Sequence, residues 1–139
     1  MHTLLHASLH VTTDLNELSQ VLDWFDQFNV LQLPHNIWLE CQLVLVEGFT
    51  NAVRHAHRDY PIETLIQLDV TLLEHQVEIR IWDQGAPFNL EQTLKELSQE
   101  MDHYAEGGRG LKLMRRIADF LSYTREKENC NCLLIVKRY

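Results

Sequence analysis

Glu47, Asn51 and His55 recur every four residues, so on a helix they share one face. An acid and an amide one turn apart can hold a hydrated Mg²⁺ and a nucleophile together, although a solvated helix face has the same composition. Asp83-Gln84-Gly85 is the second cluster. An Asp at a strand end can accept a hydrogen bond from an exocyclic amine such as that of adenine, and a Gly two residues on lets the backbone approach a flat base; an ordinary turn reads the same way. The third is Gly107-Gly108-Arg109-Gly110-Leu111, part of the only glycine cluster in the chain. Glycines ahead of a helix leave N–H groups free to face phosphates, and the helix N-terminus adds favourable partial charge. The alternative is a flexible hinge. No Lys-Ser/Thr follows, so this is not a Walker A loop, and no strand leads directly into it, so it is not a dinucleotide fingerprint.

Each cluster falls on an element that the hydrophobic pattern defines. Residues 4–12 alternate, with Leu5, Ala7, Leu9 and Val11 on one side and His6, Ser8 and His10 on the other, as in a half-buried strand. His2, His6 and His10 share its outer face, which suits solvent better than a metal. Asp14 or Asn16 can cap a helix whose apolar stripe is Leu18, Val21, Leu22, Phe25 and Phe28. The segment from about Asn36 to His57 predicts a long helix with Leu45, Phe49, Ala52, Val53 and Ala56 on one face. Two alternating strands follow, through Ile66–Leu72 and Val77–Ile81, with a turn at Glu74, His75 and Gln76. A short helix is expected from Leu90 to Glu100. A further one starts at the glycines with Leu111, Met114, Ile117, Ala118 and Leu121 as its stripe, and a closing strand runs from Cys132 to Tyr139.

The chain has 139 residues, enough for one domain with a sizeable core, and is 45% hydrophobic, which argues against disorder. No apolar run reaches membrane-span length and the N-terminus lacks a basic start, so a cytoplasmic protein without membrane attachment is expected. A formal net charge of −8 makes direct nucleic-acid binding unfavourable, since that needs a basic face to release counterions. A bound nucleotide remains compatible with it, because backbone N–H groups and a cation hold phosphates on an acidic protein. The cysteines, Cys41, Cys130 and Cys132, form no CxxC pair and read as reduced, mostly buried thiols.

The order of the clusters is more specific than any one of them. Glu47-Gly48-Phe49-Thr50-Asn51-Ala52-Val53-Arg54-His55-Ala56 resembles the E-x-x-x-N-A-x-x-H N-box of GHKL (histidine kinase-like) ATPases, Trp82-Asp83-Gln84-Gly85-Ala86-Pro87-Phe88 resembles their adenine-binding D-x-G box, and Gly108-Arg109-Gly110-Leu111 resembles the G-x-G-L box that follows the ATP lid. The short lid and lone domain are most similar to bacterial anti-sigma factor serine/threonine kinases, over residues 5–139. The resemblance implies an α+β fold, a two-layer sandwich of a mixed sheet with helices on one face. It implies one domain over 1–139, ATP with Mg²⁺ as ligands, and a lid at about 88–108 with few strong anchors. It implies that Asn51 ligates Mg²⁺, that Glu47 is the base removing a hydroxyl proton from a protein serine or threonine, and that Asp83 contacts the adenine amine with Gly85 giving room. Gly108 and Gly110 bring amides to the phosphates, and His55, Gly107, Arg109 and Leu111 complete the nucleotide-binding set. The implied partners are an anti-sigma factor antagonist as substrate, a sigma factor, and a second copy in a homodimer.

The chain departs from that pattern in places. Asn129-Cys130-Asn131-Cys132 stands where many members have Gly-Thr, Ala105-Glu106 stands where some have an Arg before the lid box, and Pro87 replaces a glycine-type turn residue. Glu47 favours an active kinase. The altered C-terminal strand favours a rival, a nucleotide-dependent module that sequesters a sigma factor or other regulator with little turnover.

Overall fold

The computed structural model describes residues 2–99 and 108–139. The chain runs β1 (Thr3–Thr12), α1 (Leu18–Phe25), α2 (His35–Asn51), β2 (Leu65–Leu73), β3 (Gln76–Asp83), α3 (Leu90–Gln99), α4 (Gly108–Ile117), β4 (Phe120–Lys127) and β5 (Cys130–Arg138). The strands form one sheet in the order β1-β2-β3-β5-β4. Alternation sets its two faces. Ile66, Leu68, Val70 and Leu72 of β2, Val77, Ile79 and Ile81 of β3, and Leu133 and Ile135 of β5 point into a core shared with Val21, Phe25, Val44, Leu45 and Phe49 of the helices. The opposite face carries short polar pairs, such as His6 Nδ1 with Thr71 Oγ1 at 2.8 Å and His10 Nε2 with Gln67 Oε1 at 3.2 Å. The histidines on β1 thus pair with β2, and no group of three or more His, Cys, Asp or Glu that could hold a metal ion exists among the described residues.

The α+β two-layer architecture is the expected one. Within it the sheet corrects the expectation of a mixed arrangement, because all four ladders are antiparallel. The crossover through α3 and α4 does return β4 in the same direction as β3. The β4–β5 hairpin then folds β5 into the gap, so the two like-directed strands never touch.

α2 begins directly after Pro34, whose φ of −54° suits a helix start. It buries Trp38, Cys41, Val44, Leu45, Gly48 and Phe49, and continues past Asn51 as a wider, π-type turn over Ala52–Ala56 that closes with His57 N–H donating to Ala52 O at 2.9 Å. A four-residue step overshoots a full turn of α-helix by about 40°. In a wider turn the same step falls short, which offsets that drift at His55.

α4 stops earlier than the apolar stripe suggests. It ends at Ile117, whose carbonyl accepts from Lys137 Nζ at 3.1 Å, and Leu121 belongs to β4. A cation at a helix C-terminus satisfies carbonyls that the helix itself leaves open. The hairpin between β4 and β5 turns at Asn129, which takes the left-handed conformation at φ 60° that Asn tolerates better than most residues. No helix among the described residues is long and apolar enough to cross a membrane.

Candidate functional site

A cavity of about 360 Å³ opens between α2, α4 and the sheet. It brings together Asn51 and His55 from α2 and its wide turn, Asp83 from the end of β3, and Gly108 and Leu111 from α4. Its walls are mostly apolar, with Ala52, Ile81, Leu133 and Phe88 among them and Thr93 beside them. Such a slot, apolar with a few convergent polar groups, suits a flat heterocycle.

At one end Asp83 is 4% exposed and its carboxylate is already well supplied with donors. Oδ1 accepts from Gly85 N–H at 2.9 Å and from Asn131 Nδ2 at 2.9 Å, and Oδ2 accepts from Tyr123 Oη at 2.8 Å. The second amide hydrogen of Asn131 reaches Gly85 O at 2.8 Å, and Arg125 Nη1 donates to the same carbonyl at 3.2 Å. A carboxylate has about four acceptor positions, so one remains for a ligand amine. Burial, the charge of Asp83 and the bond to it all push the Tyr123 phenol upward, so it stays a donor. Phe88 stacks on Tyr123 with ring centres 4.4 Å apart. Gly85 itself lies behind the cavity against the backbone of Ala56, where a Cβ would collide with the carbonyl oxygen. Its missing side chain therefore serves the packing of the turn on the helix end.

Beside the cavity α4 approaches α2 through Gly110, which like Glu47 is not among the residues lining it. A Cβ there would lie 2.7 Å from Glu47 Oε2 and 3.2 Å from Asn51 Nδ2. Glu47 and Asn51 thus converge on the N-terminus of α4, as their spacing predicts. Asn51 Nδ2 is buried with no hydrogen-bond partner among the described residues. That open donor suits a phosphate oxygen, and the Asn51 and Glu47 oxygens are hard donors suited to Mg²⁺, which usually takes only one or two protein ligands and completes its shell with water and phosphate. The residues therefore fit a Mg-nucleotide.

Arg109 is exposed and does not line the cavity, although the resemblance put it in the nucleotide-binding set. Gly107 and residues 100–106 of the expected lid lie outside the described residues. The described part of that segment is better anchored than expected. Leu90 is buried, Asn89 Oδ1 accepts from Gln92 N–H at 3.0 Å as an N-cap, and Glu91 meets Arg115 at 2.7 Å.

Four residues around Asp83 escaped sequence reasoning as members of the site. Tyr123 and Arg125 sit on β4, whose start the helical stripe through Leu121 overruns and whose remainder the pattern assigns to no element. Their signal was the aromatic-rich alternation Phe120-Leu121-Ser122-Tyr123 ahead of a Glu128-Asn129 turn. Asn131 appeared only as a departure from Gly-Thr, yet it is fully buried and knits Asp83 to Gly85. Phe88 ends the D-x-G stretch, but the motif assigns it no contact. The cysteines behave as expected, with burial pushing the thiols of Cys41 and Cys132 up to about 12, so both stay protonated.

Residues 11–137 match the histidine kinase-like ATPase domain family. The chain is also similar to the serine-protein kinase RsbW of Staphylococcus aureus strains MSSA476 and MW2, at 28% identity over 92 residues, covering 63% of this chain and 58% of each relative. The matched segment thus spans little more than half the length of those curated relatives. With the three motifs gathered on one cavity and the match running over nearly all of its length, the chain belongs to the histidine kinase-like ATPase domain family.

Proposed function

We propose that the protein is a cytoplasmic anti-sigma factor serine/threonine kinase, which transfers the γ-phosphoryl group of ATP to a serine or threonine of a small antagonist protein and also binds a sigma factor. The observation that carries this reading is the convergence of Glu47 and Asn51 on Gly110, with Asn51 lining the same cavity as Asp83. The adenine amine would donate to Asp83 while the ring lies in the apolar slot. Asn51 would hold Mg²⁺ and its phosphates, supported by amides of Gly108 and Gly110. Bound Mg²⁺ would supply charge neutralisation at the phosphates. Glu47, one turn before Asn51, would take the proton from the acceptor hydroxyl, whose oxygen then attacks the γ-phosphorus in line as the bond to the β–γ bridging oxygen breaks and ADP leaves. The segment at about 88–108 would act as the lid of this single domain.

The rival, a sequestering module without turnover, drew its support from the missing Gly-Thr on the last strand. Asn131 weakens that support, since its amide reaches both Asp83 and Gly85 from the strand in question. Incubation with labelled ATP, Mg²⁺ and an antagonist protein tests the choice. Label appearing on a serine or threonine of the antagonist supports the kinase, and tight binding of ATP and a sigma factor without any transfer supports the module.

A further inference from the structure

His57 closes the wide turn at the end of the long helix and is 2% exposed. It does not line the cavity. Its ring Nε2 accepts a hydrogen bond from the backbone N–H of Gln84 at 2.8 Å, in the middle of the Asp83–Gly85 turn. The same turn is pressed onto the helix end from the other side, where Gly85 packs against Ala56. The helix that carries Glu47 and Asn51 and the turn that carries Asp83 are thus joined at two adjacent points. One is a close backbone approach that only glycine permits, and the other is an imidazole acceptor.

An imidazole can accept only while one nitrogen is bare, and a doubly protonated ring has two donors and no acceptor. With Nε2 accepting, the proton of the neutral ring sits on Nδ1, which is buried without a partner among the described residues. A second proton would set a ring N–H against the Gln84 N–H and break the bond between them, with the ring itself buried. The groups facing the ring are few. Asp83 of β3 is the nearby charge, and its attraction for a proton opposes the dominant effect of burial, which holds the ring below its ordinary value of 6.5. Tyr60 stacks on the ring with centres 5.2 Å apart. On its own segment, Arg58 is exposed and donates to Arg54 O at 3.4 Å, while His55 turns into the cavity.

We propose that neutral His57 is a positioning residue for the nucleotide site, holding the Asp83–Gly85 turn in its base-contacting shape, so that nucleotide affinity falls when the ring is protonated. The inference rests on the nucleotide reading above, and it assigns that site a sensitivity to mild acid. A site that needs the neutral ring loses nucleotide affinity only as pH falls through the value of His57 in the nucleotide-free protein, which burial holds below 6.5.

Calorimetric titration of Mg-ATP at a series of pH values from about 8 to about 5 tests it, on the wild type, His57→Gln and His57→Phe. Gln can accept from the Gln84 N–H and does not titrate; Phe can do neither. At the alkaline end His57→Gln should bind within a few-fold of wild type, and His57→Phe roughly tenfold more weakly, the size of one lost hydrogen bond. Protonation of the ATP phosphates is common to all three proteins, so the ratio of wild type to His57→Gln isolates His57, and that ratio should fall severalfold toward the acid end. Should His57→Phe not fold, nitrogen NMR of the nucleotide-free wild type provides an independent reading: Nε2 unprotonated at neutral pH, with the Gln84 amide losing its exchange protection as the ring titrates. A constant ratio across the range, or a Gln84 amide indifferent to the ring, overturns the positioning role while leaving the nucleotide reading intact. Absence of ATP binding at every pH in wild type overturns both.

Discussion

The two ends of the cavity are built on opposite principles. Around Asp83 the protein supplies its own partners: Gly85 N–H, Asn131, Tyr123 and Arg125 bind the carboxylate and the adjoining carbonyl. Around Asn51 it does not, since Nδ2 is buried and unpartnered among the described residues and Gly110 presents only backbone. A buried polar group without a partner costs free energy that a bound ligand can recover. The proposed base end is therefore pre-organised, and the proposed phosphate end holds valences in reserve for a charged group. Substitutions at the first should act on affinity and fold together; those at the second should act on transfer with little effect on the fold.

The largest expected effect is at the phosphate end. Glu47→Gln keeps the shape of the side chain and removes its basicity, so phosphoryl transfer should fall by roughly two to four orders of magnitude while ATP affinity stays within a few-fold. Transfer of labelled phosphate beside a calorimetric titration measures both. Wild-type transfer by the variant would remove Glu47 from the chemistry. Gly110→Ala comes next. The added methyl meets the far end of the Glu47 side chain at 2.7 Å, which can swing aside, so unfolding should occur at an unchanged denaturant midpoint. Transfer should drop by roughly a hundredfold, because an ångström of displacement at the reacting groups costs about that much. A normal rate in a normally folded variant would show that Glu47 has no fixed position to lose.

Asn131→Ala probes the base end. It strips one donor from Asp83 and one from Gly85 O, both buried, and should lower stability by roughly 1–3 kcal/mol and weaken ATP binding about tenfold. Loss of affinity without loss of stability would mean that the base end is not pre-organised by this network. The smallest effect on nucleotide belongs to Asp69, one strand away on the outer face. Burial pushes its carboxyl up, but bonds from Ser8, Gln67 and Trp82 outweigh that and hold it below 3.8. Its contribution is present above that value and lost as pH falls through the folded-state one. Asp69→Asn should flatten the acid limb of the stability curve and leave ATP affinity unchanged. A change in affinity would couple the outer face of the sheet to the site.

How much of this was legible in the sequence depended on whether the signal was local. Periodicity alone located β1, α2, β2 and β3, because each buries one face against a continuous core, and it put Glu47, Asn51 and His55 in one column. The wide turn at Ala52–Ala56 has no such signature. It arises where the helix end must pack on the Asp83–Gly85 turn, a contact between distant parts of the chain. β4 was hidden because Ile117, Ala118 and Leu121 continue a helical spacing by chance, while the stop at Ile117 depends on Lys137 from β5. For the same reason Tyr123 and Asn131 could not be joined to Asp83 in advance. Their pairing is set by the register of β5 between β3 and β4, in which Asp83 faces Asn131. The family's own motifs were readable, whereas the residues that replace or support them required tertiary placement.

The central claim is that one Mg-nucleotide spans the cavity, with its base at Asp83 and its phosphates at Asn51. Calorimetric titration of Mg-ATP and Mg-GTP into the wild-type protein tests it most directly. Adenine offers an amine to the Asp83 carboxylate where guanine presents a carbonyl oxygen. The account predicts saturable binding of ATP, with GTP weaker by roughly 1–3 kcal/mol, the worth of a hydrogen bond to a charged group. No heat with millimolar Mg-ATP, or equal affinity for the two nucleotides, would contradict it.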